Sequence, residues 1–488
     1  MNEEIKKLYP QQVWEIFSGI CSVPHPSKHE EMLAAHLMEW AKQNNIDCKR
    51  DKIGNVIMSV PATKGMEKCV PVILQGHIDM VPQANSSKKH DFTKDPIETV
   101  VDKDWVRANG TTLGADNGMG VSAALAALVS KDVAHGPLEV LCTIDEETGM
   151  TGAFGLKAGT LNGKILINLD SETEGEMYVG CAGGLDANFF MKYKEKAVPA
   201  GYKAVEIFLT GLNGGHSGMD IILGRANANK LMARILKTTI EKYEGNICCI
   251  EGGNLRNAIP REAKAVVVMP EEKVAACKRF VKNFTAVLAS EFAITEPDLK
   301  VVVSNVEKMP KKMMTPDAQN RIVNMVFAIP NGVQRMSNSM PGLVETSNNL
   351  AIVKAVAGEM TICNLLRSSV NSAKEALGVR MSAIAELAGA ELVLEGGYPG
   401  WNPNMDSPIL KTCKKVYEKK FGVEPKVMAI HAGLECALFS KCYPDWDMIS
   451  FGPTIMHPHS PDEKVNIESV GKFWDFLVEV LKNTPKKQ

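Results

Sequence analysis

His77 and Asp79 stand one residue apart just beyond the apolar run 72–74, with Gln75 and Gly76 between. In an extended chain alternate side chains share a face, so this imidazole and this carboxylate can point the same way. Such a pair suits a metal-binding histidine whose second ring nitrogen is held by a carboxylate. Two further apolar runs end in acids: 138–144 leads into Asp145-Glu146-Glu147, and 164–169 leads into Asp170. Asp116 lies in the glycine-rich stretch 112–120 ahead of an alanine-rich helix at 121–130, and His457 and His459 lie in a loop beyond a strand at 448–451. Taken singly, each has a plain explanation as a polar turn, a helix cap or a solvated loop. Adjacent carboxylates at successive strand ends are harder to explain that way, because they repel one another unless cations or water relieve them.

A catalytic zinc takes about three protein ligands plus a water, and two zincs about 3.5–4 Å apart can share one carboxylate. Two histidines and three carboxylates therefore fit a pair of metals. Asp79 and Glu146 are left over, and both have uses: Asp79 to orient His77, Glu146 to accept the proton of an activated water. In an extended segment Glu146 and Glu147 would face opposite ways, one toward metal and one toward substrate. Spacing alone does not choose between His457 and His459. The 112–120 stretch is not a nucleotide loop, since no Gly-Lys-Ser/Thr follows and GADNGMG lacks the dinucleotide spacing.

The elements that must position these groups read as α/β: a mixed, mostly parallel sheet flanked by helices, with ligands outside the carboxyl ends of its strands. Ser27-Lys28-His29-Glu30 reads as a capping box opening a helix over 27–44, followed by strands at 53–60 and 72–74. From Gly183 the pattern changes to strands at 185–192, 203–210 and 263–269 and helices at 225–241 and 271–290, an α+β arrangement. The Gly/Pro-rich stretch 398–401 then returns to α/β, with helices at 408–421 and 466–483. The expected organisation is a catalytic domain in two parts, 1–183 and 398–488, interrupted by a lid domain over 184–397. Polar loops in the insert, 214–218 and 254–260, and Arg367 read as turn chemistry or solvated surface on their own.

Composition narrows the class. The chain has 488 residues, 45% of them hydrophobic, and a formal charge of −2, so no basic excess points to nucleic acid or an anionic membrane. The start of the sequence carries acids and no apolar core segment, and no run approaches the roughly 18 residues of a membrane span. Twelve scattered cysteines without a Cys-x-x-Cys pair read as reduced thiols, and the expected location is cytoplasmic.

The segments GHIDMV, LGADNGMG, DEETGMTGA, NLDSE and HSPDEKV resemble those of the di-zinc peptidase superfamily that includes carboxypeptidase G and the carnosinases. GGHSGMDI, GGNLRNAIPREA, SNNLAIV, LRSSV, GGYPGWNPN and HAGLECA resemble, more closely, the aminoacyl-histidine or cytosol non-specific dipeptidases. The likeness runs over nearly the whole chain. It implies His77 and Asp170 on one metal, Glu147 and His459 on the other, and Asp116 bridging, with His459 chosen because it opens the HSPDE segment. Glu146 is then the general base and Asp79 the support of His77. His216 would stabilise the oxyanion, and Asn257 and Arg367 would hold the substrate backbone or carboxylate.

The implied cofactors are two divalent metal ions, Zn2+ first, with Co2+ or Mn2+ as alternatives. The implied activity is hydrolysis of unblocked dipeptides, including Xaa-His, with an N-acyl amino acid deacylase or desuccinylase as the nearest rival. A non-catalytic metal-binding protein would have no use for the spare Glu146. The insert is long enough either to complete the site within one chain or to lend His216 across a homodimer.

Overall fold

The structure, a computed structural model, describes residues 3–487. Contacts divide the chain into two compact units, one comprising the stretches up to Gly180, Pro403–Ala429 and from Leu434 onward, the other Cys181–Asn402 and Ile430–Gly433.

The first unit is built on an eight-stranded sheet. Its strands in chain order are β1 (Asp47–Arg50), β2 (Val56–Val60), β3 (Val72–His77), β4 (Leu138–Thr143), β5 (Ile165–Asn168), β6 (Glu176–Cys181), β7 (Lys426–Ile430) and β8 (Asp447–Ser450), and their spatial order is β1-β2-β4-β3-β5-β8-β6-β7. The four central strands run parallel, and β3 and β4 are buried along their whole length, as apolar runs covered on both faces should be. Register does the positioning. His77 lies opposite Thr143, and Gln75 opposite Asn168. Residues just past Thr143 and Asn168 therefore emerge beside His77, which delivers 145–147 and Asp170 to the same edge.

Helices α1 (Gln11–Cys21) and α3 (Ala115–Val129) pack together, and α3 also covers β3. An alanine-rich helix can be buried on every side, and α3 is. A Cβ on Gly118 would stand 3.1 Å from the Phe17 ring, so a small residue sets how closely these helices meet. A separate four-stranded antiparallel sheet, made of residues 99–102, 105–108, 464–466 and 455–456, holds the loop with His457 and His459 between its last two strands.

Three expectations shift here. Helix α2 (Glu31–Gln43) starts at Glu31 rather than at Ser27, because the Ser27 hydroxyl bonds the Met80 carbonyl at 3.3 Å and Lys28 takes a left-handed φ of 70°. The strand expected from residue 53 begins at Val56, since Asp51 Oδ1 collects the N–H groups of Ile53, Gly54 and Asn55 into a turn. Helix α3 is bounded by Ala115, but Asp116 and Asn117 have non-helical backbone angles, so its regular turns begin after Asn117, a few residues ahead of 121.

The second unit is a nine-stranded antiparallel sheet in which Glu359–Ser368 pairs with both Val344–Val356 and Gly183–Lys192. Helices Ala228–Tyr243, Glu271–Glu291, Pro316–Ala328 and Asn371–Ala388 share one apolar core with it, in which Ile207, Leu231, Val281 and Ile322 are almost wholly buried. Its borders differ from those read in the sequence. Cys181 and Trp401 exchange backbone hydrogen bonds at 2.9 Å, which carries the 398–401 stretch into this unit. Residues 430–433, read as part of 398–488, also join it, because the Ala182 N–H meets the Ile430 and Ala432 carbonyls at 3.0 Å and His431 Nε2 lies 2.7 Å from Ser347 Oγ. No disulfide joins any of the twelve cysteines, and among the described residues no helix is long and apolar enough to cross a membrane.

Gly120 is a tight joint between α3 and the end of β5, where an added Cβ would stand 2.3 Å from the Leu169 carbonyl oxygen and 2.7 Å from the Asn117 amide. Gly120→Ala is expected to cost about 1–3 kcal/mol of stability through overpacking. Urea unfolding with an unchanged midpoint would show that the helix slides instead.

Candidate active site

At the carboxyl edge of the first unit's sheet, five side chains converge in two groups. His77 Nε2 lies 3.1 Å from Asp116 Oδ1 and 3.3 Å from Asp170 Oδ1. His459 Nε2 lies 3.2 Å from Asp116 Oδ2 and 3.0 Å from Glu147 Oε2. Asp116 thus turns one oxygen to each group. Ligands on a tetrahedral zinc with bonds of about 2.0–2.1 Å sit about 3.3 Å from one another, close to these edges.

The donor chemistry fits divalent cations. The Nδ1–H of His77 has the Asp79 carbonyl at 3.0 Å as acceptor, which leaves the Nε2 lone pair facing carboxylate oxygens. Glu147 Oε1 and Asp170 Oδ1 are buried and accept no hydrogen bond. Burial pushes the Asp170 pKa up to about 7, with Asp116 and Glu147 adding to the rise against the pull of His77. Asp116 and Glu147 hold His459 far above the ordinary imidazole range, at about 11. Three carboxylates and two imidazoles packed this closely out of water need positive charge among them, and metal ions are the usual source.

Asp79 does more than support His77. Its Oδ1 lies 3.3 Å from His77 Nδ1, while the carboxylate also accepts the N–H groups of Glu146 at 2.9 Å and Glu147 at 3.2 Å. One side chain therefore ties the strand end of His77 to the acidic turn. That turn is not extended: Glu146–Gly149 is a single helical turn after Asp145 at φ 51°, so the two glutamates diverge by helical rotation rather than by strand alternation. A Glu146 oxygen lies within 4.8 Å of the His77 and Glu147 ligand atoms. Burial raises the Glu146 pKa well above the carboxylate range; His77 opposes the rise, and Asp170, Glu435 and Glu147 add to it. His457 is exposed and belongs to none of these groups.

Two supports of the cluster escaped sequence reasoning. Glu463, only 2% exposed, accepts four consecutive backbone N–H groups, from Leu113 at 2.8 Å, Gly114 at 3.1 Å, Ala115 at 2.8 Å and Asp116 at 3.3 Å. The glycine-rich loop is an anion cradle after all, but its anion is a carboxylate of the same chain. It locks Asp116, whose own backbone is non-helical, to the segment that carries His459. The second support is a rung of buried polar groups across four parallel strands. Ser450 Oγ donates to Asn168 Oδ1 at 2.5 Å, Asn168 Nδ2 to Gln75 Oε1 at 2.6 Å, and Gln75 Nε2 and Thr143 Oγ1 to Glu435 Oε2 at 2.5 and 2.9 Å. The available signals were the glutamate closing HSPDE and the polar Gln75 inside an otherwise apolar strand.

In the second unit, His216 is half-buried in the short pairing of Gly215–His216 with Ala258–Ile259. Its Nδ1 accepts the N–H groups of Gly218 at 3.2 Å and Met219 at 3.1 Å, which assigns the proton to Nε2. Burial and then the charge of Arg367 hold its pKa below the ordinary value, so the ring is a neutral donor. Arg367, 6% exposed, bonds Ser217 Oγ at 3.4 Å and the Tyr398 hydroxyl at 3.3 Å. The Asn257 side chain is exposed, and the residue's backbone carbonyl accepts the Ser217 N–H at 2.8 Å. His216, Asn257 and Arg367 are thus linked through Ser217 and its neighbours.

The profile of peptidase family M20/M25/M40 matches residues 73–483. The cytosol non-specific dipeptidase of Escherichia coli is 46% identical over 484 residues, spanning 99% of this chain and all of the relative. The crystal structure of an aminoacylhistidine dipeptidase from Vibrio alginolyticus superimposes with a TM-score of 0.94 at 47% identity, each chain fully covered. An aminopeptidase, PepT, from Bacillus cereus shares the fold at a TM-score of 0.57 and 16% identity, over 98% of this chain and 99% of its own.

Glu463→Gln replaces two accepting lone pairs with an amide that opposes the cradle's N–H groups. The expected result is about tenfold or greater loss of metal affinity, the scale seen when a ligand's support is removed, measured by chelator competition. His457→Ala should bind metal as the parent does, whereas His459→Ala should lose it. Equal affinities in those two variants would remove His459 from the site.

Proposed function

Because this chain belongs to peptidase family M20/M25/M40, we propose that it is a dipeptidase that hydrolyses short unblocked dipeptides, Xaa-His among them, at a pair of divalent cations. It is a metal-dependent peptidase by family. The observation that carries the two-metal reading is Asp116, whose two oxygens each face a histidine and a carboxylate. Near-full-length likeness to two dipeptidases favours a peptide substrate over an N-acyl amino acid.

In this reading His77 and Asp170 hold one cation, Glu147 and His459 the other, and Asp116 both. Zinc suits the mixed nitrogen and oxygen donors, and cobalt or manganese would also be accepted. Bound there, such ions supply Lewis acidity and lower the pKa of a water. Glu146 accepts the proton of that water on its carboxylate and returns it to the leaving nitrogen. The raised proton affinity that burial gives Glu146 favours the accepting step. His216 donates from Nε2 to the oxygen that becomes negative, a role helped by the two N–H groups that fix its tautomer. The Arg367 guanidinium, buried and among the described residues hydrogen-bonded to the Ser217 and Tyr398 hydroxyls, has donors left to bind a carboxylate, and Asn257 can hold the dipeptide backbone.

The first unit is then the catalytic domain and the second the lid. A cytoplasmic location agrees with the name of the Escherichia coli relative. The assembly proposed is a homodimer, which sedimentation of the metal-loaded protein tests.

Glu146→Ala, with metal content intact, should lower kcat about 10²- to 10⁴-fold, the usual contribution of a general base. Wild-type turnover would strike Glu146 from that role. Against a panel of β-Ala-His, Gly-Leu, N-acetyl and N-succinyl amino acids, the first two should be cleaved. Cleavage of the blocked compounds alone would replace the dipeptidase reading with that of a deacylase. Chelation should abolish turnover, and zinc should restore it.

A further inference from the structure

Glu296 is a buried charge in the second unit to which the roles assigned so far give no part. It follows the helix Glu271–Glu291, is 1% exposed, and spends both oxygens on backbone N–H groups: Oε2 accepts from Asn213 at 2.6 Å and Oε1 from Ala226 at 2.8 Å. A carboxylate is costly to bury, and charge-assisted hydrogen bonds to backbone N–H are what make the position tolerable. Asn213 and Ala226 are the two ends of the segment that carries His216.

That segment is a compact loop closed at its base, the form of loop that presents functional groups on a rigid frame. Within it Gly214 and Gly215 take φ values of 67° and 131°, a path that side chains oppose. The His216 N–H donates to Asp220 Oδ2 at 2.7 Å, and the Arg225 guanidinium donates to the Gly214 carbonyl at 2.5 Å. The His216 ring is oriented by Gly218 and Met219 from inside the same loop. Every one of these bonds fixes His216 relative to the loop. The loop meets the rest of the unit at two levels. At its tip it does so through the pairing of Gly215–His216 with Ala258–Ile259 and the bonds of Ser217 to Asn257 and Arg367. At its base it does so through Glu296, helped by Asn213 Nδ2, which donates to the Thr295 carbonyl at 2.6 Å.

We propose that Glu296 is a positioning residue for His216, closing the base of its loop and so setting where the Nε2–H points. The inference rests on the reading of His216 as the oxyanion donor. An oxyanion donor works only within about 2.7–3.1 Å of the developing charge, and a displacement of about 1 Å can cost about a hundredfold in rate.

The test is a double-mutant cycle on metal-loaded protein with a dipeptide substrate, reading kcat, KM and thermal midpoint. Glu296→Gln keeps the shape and turns an amide toward one of the two N–H groups. Its kcat should fall about 10- to 100-fold with KM within about threefold, because the donor acts in the transition state. Added to His216→Ala, the same change should lower kcat by less than about twofold, because the group it positions is already gone. Should Glu296→Gln fail to fold, Asn213→Ala, which loosens the base from its exposed side, carries the cycle with a loss of about 2- to 10-fold, the worth of one hydrogen bond. Losses that multiply in the double variant overturn the inference. So does wild-type kcat in both loop-base variants beside an impaired His216→Ala, which leaves the His216 reading standing. Wild-type kcat in His216→Ala overturns that reading and the inference together.

Discussion

The first unit is organised around a repulsion. Five side chains bring lone pairs within about 3 Å of one another at the edge of a sheet, three of them on carboxylates, in a place largely closed to water. Left alone such groups would move apart or take up protons. In the proposed reading cations would compensate them, while hydrogen-bonded backbone attachments hold them in place. The parallel register sets the coarse position, and three hydrogen-bonded devices set the fine one. These are the Asp79 carboxylate on the Glu146–Glu147 turn, the Glu463 cradle under Asp116, and the polar rung from Ser450 to Glu435.

Two of these devices place a carboxylate against backbone N–H groups, and Glu296 does so again in the second unit. The physics is shared. A backbone N–H cannot change its protonation, and several of them directed at one carboxylate hold it without introducing a mobile side-chain cation. Near a metal pair that choice has a further advantage, since a lysine or arginine in the same place would compete with the metals for the ligands. In this metallopeptidase Asp79, Glu463 and Glu296 each direct a carboxylate at backbone N–H groups, and the work proposed for them is geometric.

Much of the fold and site was legible in the sequence, for particular reasons. Apolar runs at 72–74, 138–144 and 164–169 each lead to an acid or an imidazole, and strands buried on both faces leave that mark because an unpartnered charge is tolerated more readily where the sheet ends than within it. Other features were misread because local patterns yielded to distant partners. Ser27 looked like a cap but serves the Met80 carbonyl. Residues 145–147 looked extended, yet Asp79 winds the glutamates into a helical turn. Residues 112–120 looked like a plain loop, and Glu463 gathers the N–H groups of Leu113 to Asp116 just ahead of the regular turns of α3.

By itself, then, the sequence determined the strand ends, the kinds of donor placed there and, through ordered motifs along nearly the whole chain, the family. Those properties are carried by residue type and short-range periodicity, which need no knowledge of distant contacts. Tertiary structure alone decided the rest. It turned the two oxygens of Asp116 in different directions, brought His459 and not His457 to Glu147, and set Glu463 beneath a loop far away in the chain. It also gave residues 430–433 to the second unit. Each of those outcomes depends on which groups meet across long separations in the chain, and a buried carboxylate finds its N–H partners only when the whole sheet has been assembled around them.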